Sequence, residues 1–140
     1  MPANPKILRI PVAYDKRGIL CVVEGNSAIP FDIRRVFYLC DIPGGSKRGG
    51  HAHKKLQQFI IAVNGSFEVS IQGKDFKETY LLNRSNFGLY VPPKHWCQIK
   101  NFSSGAVCLV LASEHYDESD YIRNIKEFKN TCLESSSALK

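Results

Sequence analysis

The stretch GSKRGGHAHKKLQQFIIAVNG, residues 45 to 65, decides the fold. His51 and His53 form an H-x-H pair. On a strand, side chains alternate with period two, so both imidazoles project from one face. A basic pair, Lys47 and Arg48, and several glycines lead into them. Downstream, the apolar run FIIAV ends at Asn64-Gly65 and FEVSIQ follows. Asn-Gly between two β-rich runs is a strong short-range turn signal, and it predicts a β-hairpin across residues 64 and 65.

The pattern repeats outward. ILRIPVAYD turns at DKRG into ILCVVEG, and RRVFYLCDI precedes the glycine-rich stretch. FKETYLLN, FGLYVPP, WCQIKNFSSG and AVCLVLASE follow. About ten short strands at regular spacing predict an all-β sandwich or barrel. The end of the chain differs. In DESDYIRNIKEFKNTCLE, Ile122, Ile125 and Phe128 recur at helical spacing behind capping Asp and Ser residues, which predicts a C-terminal helix packed on the sheet. The reading is one domain over residues 1–132, with 133–140 a disordered tail or a linker to a further domain.

The chain has 140 residues, 44% hydrophobic and 23% charged, in the range of a globular domain with a real core. The net charge of +6 suits an anionic ligand, but no run of five Lys/Arg supports nucleic acid as a partner. Five cysteines at scattered positions, without C-x-x-C, read as reduced residues of a cytoplasmic protein. No run of 18 apolar residues is present, so no transmembrane helix is expected, and the N-terminus lacks the apolar segment of a signal peptide.

The spacing around the histidines resembles the cupin barrel. Gly45, His51, His53, Gln58 and Gly65 stand where that fold carries G, H-x-H, Glu and G. Pro92, Lys94, Cys97 and Asn101 stand where it carries P, G, H and N. The usual ligand set of three histidines and a carboxylate is thus reduced to two imidazoles, an amide and a thiol. An amide is a poor metal ligand. A His/His/Cys zinc site remains an alternative on residue type alone. Without a metal, the histidines are free to titrate near neutral pH and move protons.

A more specific resemblance follows. RVFYLCDIPGGSKRGGHAHKKLQQFIIAVNGSFEV, YVPPKHWCQIKNFS and LASEHYDESDYIRNIKEF together resemble the sugar-nucleotide 3,4-ketoisomerases, over about residues 8 to 129. The resemblance implies a cupin jelly roll that needs no metal or other cofactor. It implies a dTDP-4-keto-6-deoxyglucose substrate, a cytoplasmic homodimer, and a place in deoxy-amino-sugar synthesis for surface polysaccharide such as O-antigen. His51 becomes the expected base and His53 its partner, with Tyr38 as a donor to a sugar oxygen. Arg48 and Lys47 are expected at the pyrophosphate with Arg123, carried over from the family. Tyr121 or Trp96 is expected to stack on the thymine, and Arg17 and His95 to line the sugar end. Cys97 departs from the family, which commonly has His or Arg after the tryptophan, so the residue completing the pocket near C4 is open. Arg17 favours the galacto product, because relatives making it resemble this chain at that turn. A 3,5-epimerase, or a cupin that only binds an anionic sugar nucleotide, are the alternatives.

Overall fold

The computed structural model describes residues 3–138, with side chains as far as Leu133. Twelve strands are present among the described residues: β1 (Lys6–Arg9), β2 (Val12–Asp15), β3 (Gly18–Cys21), β4 (Arg35–Leu39), β5 (Arg48–His53), β6 (Gln58–Asn64), β7 (Phe67–Gln72), β8 (Lys77–Leu82), β9 (Phe87–Val91), β10 (Trp96–Lys100), β11 (Val107–Ala112) and β12 (Tyr121–Ile122). One helix, α1 (Ile125–Ala138), follows. The strands form two five-stranded antiparallel sheets, ordered β1-β9-β6-β11-β4 and β12-β5-β10-β7-β8, and a separate β2-β3 ribbon.

The facing sides of the two sheets build the core. Period-two alternation is clean on β7, where Phe67, Val69 and Ile71 are buried and the residues between them are half-buried. They meet Ile60, Leu89 and Val110 of the other sheet. Each such side chain contributes roughly 1.5–3 kcal/mol when fully buried. A second cluster, of Phe59, Tyr90 and Leu111 with Ile29 and Phe31, covers part of the outer face of the β6 sheet.

The predicted hairpin at Asn64-Gly65 is corrected. β6 pairs with β9 and β11, and β7 pairs with β8 and β10, so the chain leaves one sheet and enters the other at this point. The glycine is still required. Gly65 has φ of +68°, and a Cβ there would lie 2.9 Å from the Ala106 Cα. Asn64 holds the corner by donating from Nδ2 to the Gly105 carbonyl.

The DKRG turn does join two paired strands, β2 and β3. Ile122 belongs to β12 rather than to the helix, and it is Asn124 whose side chain accepts from the first helical amides, of Lys126 and Glu127. Ile125, Phe128 and Cys132 of α1 pack against Ala52, Trp96 and Ile122, so the helix lies on the back of β5. The helix runs past residue 132 to Ala138, through most of the stretch expected as a tail; residues 139 and 140 lie outside the described residues.

Candidate active site

On β5 the alternation holds as read. His51 and His53 project to one side, and Ala52 between them is buried on the other, against α1. The strand can run this close to β10 because residue 49 is glycine: a Cβ there would be 2.8 Å from the Cys97 carbonyl oxygen. β10 shifts register at that point and sets Cys97 opposite His51.

The two imidazoles line a cavity of about 390 Å³ between the sheets, with Phe37, Gln58, Cys97 and Tyr121 on its walls and Lys47, Arg48 and Arg123 among its lining cations. The His51 and His53 rings stand edge to face, 5.0 Å between centroids. Tyr121 packs against both, at 4.9 Å and 4.2 Å. Arg123 lies over the Tyr121 ring at 4.2 Å. A thymine stacking on that face would therefore displace Arg123.

Electrostatics keep both imidazoles neutral near pH 7. Burial lowers the pKa of His51, and the Arg123 charge adds to this; the Gly49 main chain and Glu118 oppose it. His53, only 4% exposed, is pushed down to about 4 by burial first, then by His51, with Arg35 adding a little. A neutral imidazole is the form that accepts a proton.

The metal reading does not fit these residues. Burial pushes the Cys97 thiol up to about 12, away from the thiolate that binds metals. Gln58 offers only an amide, and no three His, Cys, Asp or Glu among the described residues are placed to hold an ion.

Other expected residues fall elsewhere in the single chain. Tyr38 is out of phase: Phe37 and Leu39 line the cavity, while Tyr38 is 65% exposed on the opposite face of β4. Trp96 alternates with Cys97 and so points to the back of β10, 5.8 Å from the Phe128 ring. His95 lines a different cavity, between α1 and the 73–76 turn, where its Nδ1 lies 2.9 Å from the Pro93 carbonyl. Arg17 sits at the tip of the β2-β3 ribbon, paired with Asp15 and away from the histidines.

Three residues escaped the sequence reading. Arg35 shares the inward phase of Phe37 on β4, and its guanidinium lies over the Phe37 and Tyr116 rings at 5.2 and 5.5 Å. Alternation counted from Phe37 rather than Tyr38 would have found it. Glu118 accepts from Arg123 Nε at 2.6 Å and Nη2 at 3.0 Å, and Arg123 and Tyr116 together hold its carboxyl down at about 2. Asp120 lies 3.4 Å from His53 Nδ1. Nothing local in the sequence marks either carboxylate as part of this pocket.

The FdtA: WxcM-like, C-terminal family matches residues 3–132. The chain belongs to that family. It is 43% identical over 124 residues to the TDP-4-oxo-6-deoxy-alpha-D-glucose-3,4-oxoisomerase of Aneurinibacillus thermoaerophilus, which covers 89% of each chain. Its fold matches QdtA, a sugar 3,4-ketoisomerase from Thermoanaerobacterium thermosaccharolyticum solved with TDP, with a TM-score of 0.91 and 39% identity over 96% of this chain and 98% of that one. It also matches the WlaRB TDP-quinovose 3,4-ketoisomerase of Campylobacter jejuni, with a TM-score of 0.88 and 43% identity over 92% and 99% of the two chains. This FdtA-family chain is thus a cupin of the 3,4-ketoisomerase class, as the resemblance implied.

Proposed function

We propose that this chain converts TDP-4-keto-6-deoxyglucose to a TDP-3-keto-6-deoxyhexose by proton transfer between C3 and C4, without a metal. The observation that carries the reading is the pair of neutral imidazoles, His53 buried and His51 half-buried, on one wall of a cavity with three cations in its lining. His51 removes the proton on C3, giving an enediolate. Protonation at C4 and transfer of the hydroxyl proton between the two oxygens complete the isomerisation, with His53 as the second imidazole. The Gln58 amide, on β6 of the other sheet, lines the same cavity and is a donor for the developing oxyanion. Lys47 and Arg48 meet the pyrophosphate. Arg123 joins them only by exchanging its Glu118 partner for phosphate oxygens.

A second copy of the chain is part of this reading. Among the described residues the β2-β3 ribbon pairs with neither large sheet, and a lone two-stranded ribbon is marginal in water. Tyr14, Ile19 and Leu20 on it, and Val36 and Tyr38 on β4, are all more than half exposed. A homodimer that covers these side chains removes that cost. In such a dimer Arg17 serves the pocket of the second copy, and the galacto product proposed at C4 depends on that arrangement. No helix among the described residues is long and apolar enough to cross a membrane. We place the enzyme in the cytoplasm, supplying a keto sugar for amino-sugar synthesis.

The test is NMR of TDP-4-keto-6-deoxyglucose incubated with the protein in deuterated buffer. The carbonyl signal should move from C4 to C3 with deuterium entering the ring at C4. An unchanged substrate refutes the reaction. Reducing the product in place and reading the H4–H5 coupling tests the stereochemistry: a small coupling supports the axial C4 hydroxyl of the galacto product, and a large one refutes it.

A further inference from the structure

We propose that Asp120 is a positioning residue: its carboxylate faces Nδ1 of His53, keeps the ring proton on that nitrogen, and leaves Nε2 free to exchange a proton with the sugar. The inference rests on the ketoisomerase reading for its kinetics, but its structural half stands apart from it.

Four observations carry it. Nδ1 of His53 is buried and has no hydrogen-bond partner among the described residues, and the Asp120 Oδ2 lies 3.4 Å away. That distance is longer than a made hydrogen bond, as catalytic contacts often are before substrate closes on them. Both side chains are shielded, 5% exposed for the histidine and 11% for the aspartate. Finally, the carboxylate is held independently of the ring. Asp120 Oδ1 accepts from the Lys55 amide at 2.8 Å and Oδ2 from the Leu56 amide at 3.2 Å, while its own carbonyl accepts from the Lys54 amide at 2.9 Å. The turn that follows β5 is thereby laced to the turn that precedes β12, and the carboxylate cannot swing away without breaking that lacing.

The charged and titratable groups around His53 come from several elements. His51 is on its own strand, Arg35 on β4, Cys97 on β10 and Tyr121 on β12, with Asp120 in the turn before it. Asp120 is the one anion in that set. When His53 gains a proton, His51 and Arg35 oppose the new charge and Asp120 supports it. A neutral imidazole has one N–H and one acceptor nitrogen, so an anion at Nδ1 fixes which is which. The same carboxylate therefore sets the tautomer of the resting ring and steadies the imidazolium during transfer.

The test pairs kinetics with nitrogen NMR. Asp120→Asn keeps one oxygen for the Lys55 or Leu56 amide but turns an N–H toward His53 Nδ1, which favours the opposite tautomer. The expected result is a kcat at least ~10²-fold lower, in the range of lost general-base function, with KM within about threefold. The acid limb of the kcat profile should move to lower pH, because the imidazolium has lost its anion. Asp120→Glu should recover part of kcat. Long-range nitrogen–proton spectra of the wild-type protein should show His53 protonated at Nδ1, and of Asp120→Asn at Nε2. A wild-type His53 protonated at Nε2, or a variant whose kcat and acid limb match wild type, overturns the inference. If the wild-type protein does not turn over the keto sugar, the ketoisomerase reading falls, and the wild-type spectrum alone decides the orientation of His53.

Discussion

Acidification should destabilise the folded chain well above the pH at which its carboxylates titrate, and His53 supplies most of the effect. The ring is 4% exposed and its pKa falls from 6.5 to about 4 on folding. At roughly 1.4 kcal/mol per pH unit, the folded state forfeits on the order of 3 kcal/mol once the unfolded chain is protonated there. The sign follows from the direction: the folded value lies below the unfolded one, so unfolding takes up a proton. The contribution is complete above about pH 6.5 and drains away as the pH falls toward 4, with about 2 kcal/mol gone by pH 5. His51 is lowered too and adds to the loss. The exposed carboxylates of Asp15, Asp117 and Glu118 are lowered as well, so what they contribute is lost only at lower pH. The assay is urea unfolding at fixed protein concentration between pH 8 and pH 5. It can be followed by the fluorescence of Trp96, the single tryptophan, which packs on Phe128. Wild type should lose about 2 kcal/mol more than His53→Gln between pH 7 and 5. Coincident slopes, or a wild type that gains stability on acidification, would refute the electrostatic account of the pocket.

Exhaustive EDTA dialysis should leave turnover unchanged; a loss restored by zinc or iron would return the His/His/Cys site to consideration. His51→Asn should lower kcat by ~10²-fold or more with KM little altered, and near-normal kcat would move the base to another residue. Arg48→Ala and Arg123→Ala should each weaken TDP binding in calorimetry, and binding to wild type should itself weaken as salt rises; unchanged affinity in both would place the pyrophosphate elsewhere. Ile19→Asp combined with Leu20→Asp should yield monomers by light scattering while the sheet spectrum persists, and a wild type that is already monomeric would remove the dimer from the reading.

The pocket was legible where chemistry and period coincide on one strand. H-x-H fixes its own phase, so His51 and His53 could be placed on one face without knowing what lay opposite. Tyr38 shows the limit. VFYL is apolar or aromatic on both faces, with Phe37 and Leu39 lining the cavity and Val36 and Tyr38 exposed, so its alternation does not reveal which face is inside. Trp96 was expected on the thymine for its aromatic ring, but it is next to Cys97 on β10, and adjacent residues on a strand face opposite ways. Asp120 was invisible for a different reason. Its partners are His53 and the amides of residues 55 and 56, more than sixty positions earlier, and a contact that distant leaves no local pattern. Asn64-Gly65 was read correctly as a turn and wrongly as a hairpin, since turn chemistry specifies backbone conformation at two residues and not which strand the next segment will meet.

The corner at Gly65 also bears on how the chain is made. Because β6 passes over its sequence neighbour, its edges are satisfied only by β9 and by β11, and the pair Gln58–Ala112 is among the last to become available as the chain emerges. Until then Phe59, Ile60, Ile61 and Ala62, all buried in the finished molecule, lie on an apolar strand with its β11 edge still unpaired on the nascent polypeptide. Pairings of this span must close long loops before they are rewarded, which makes folding slow and the waiting strand prone to association. Slow growth at low temperature or a holdase chaperone should therefore raise the soluble yield of this protein more than any change in its active site.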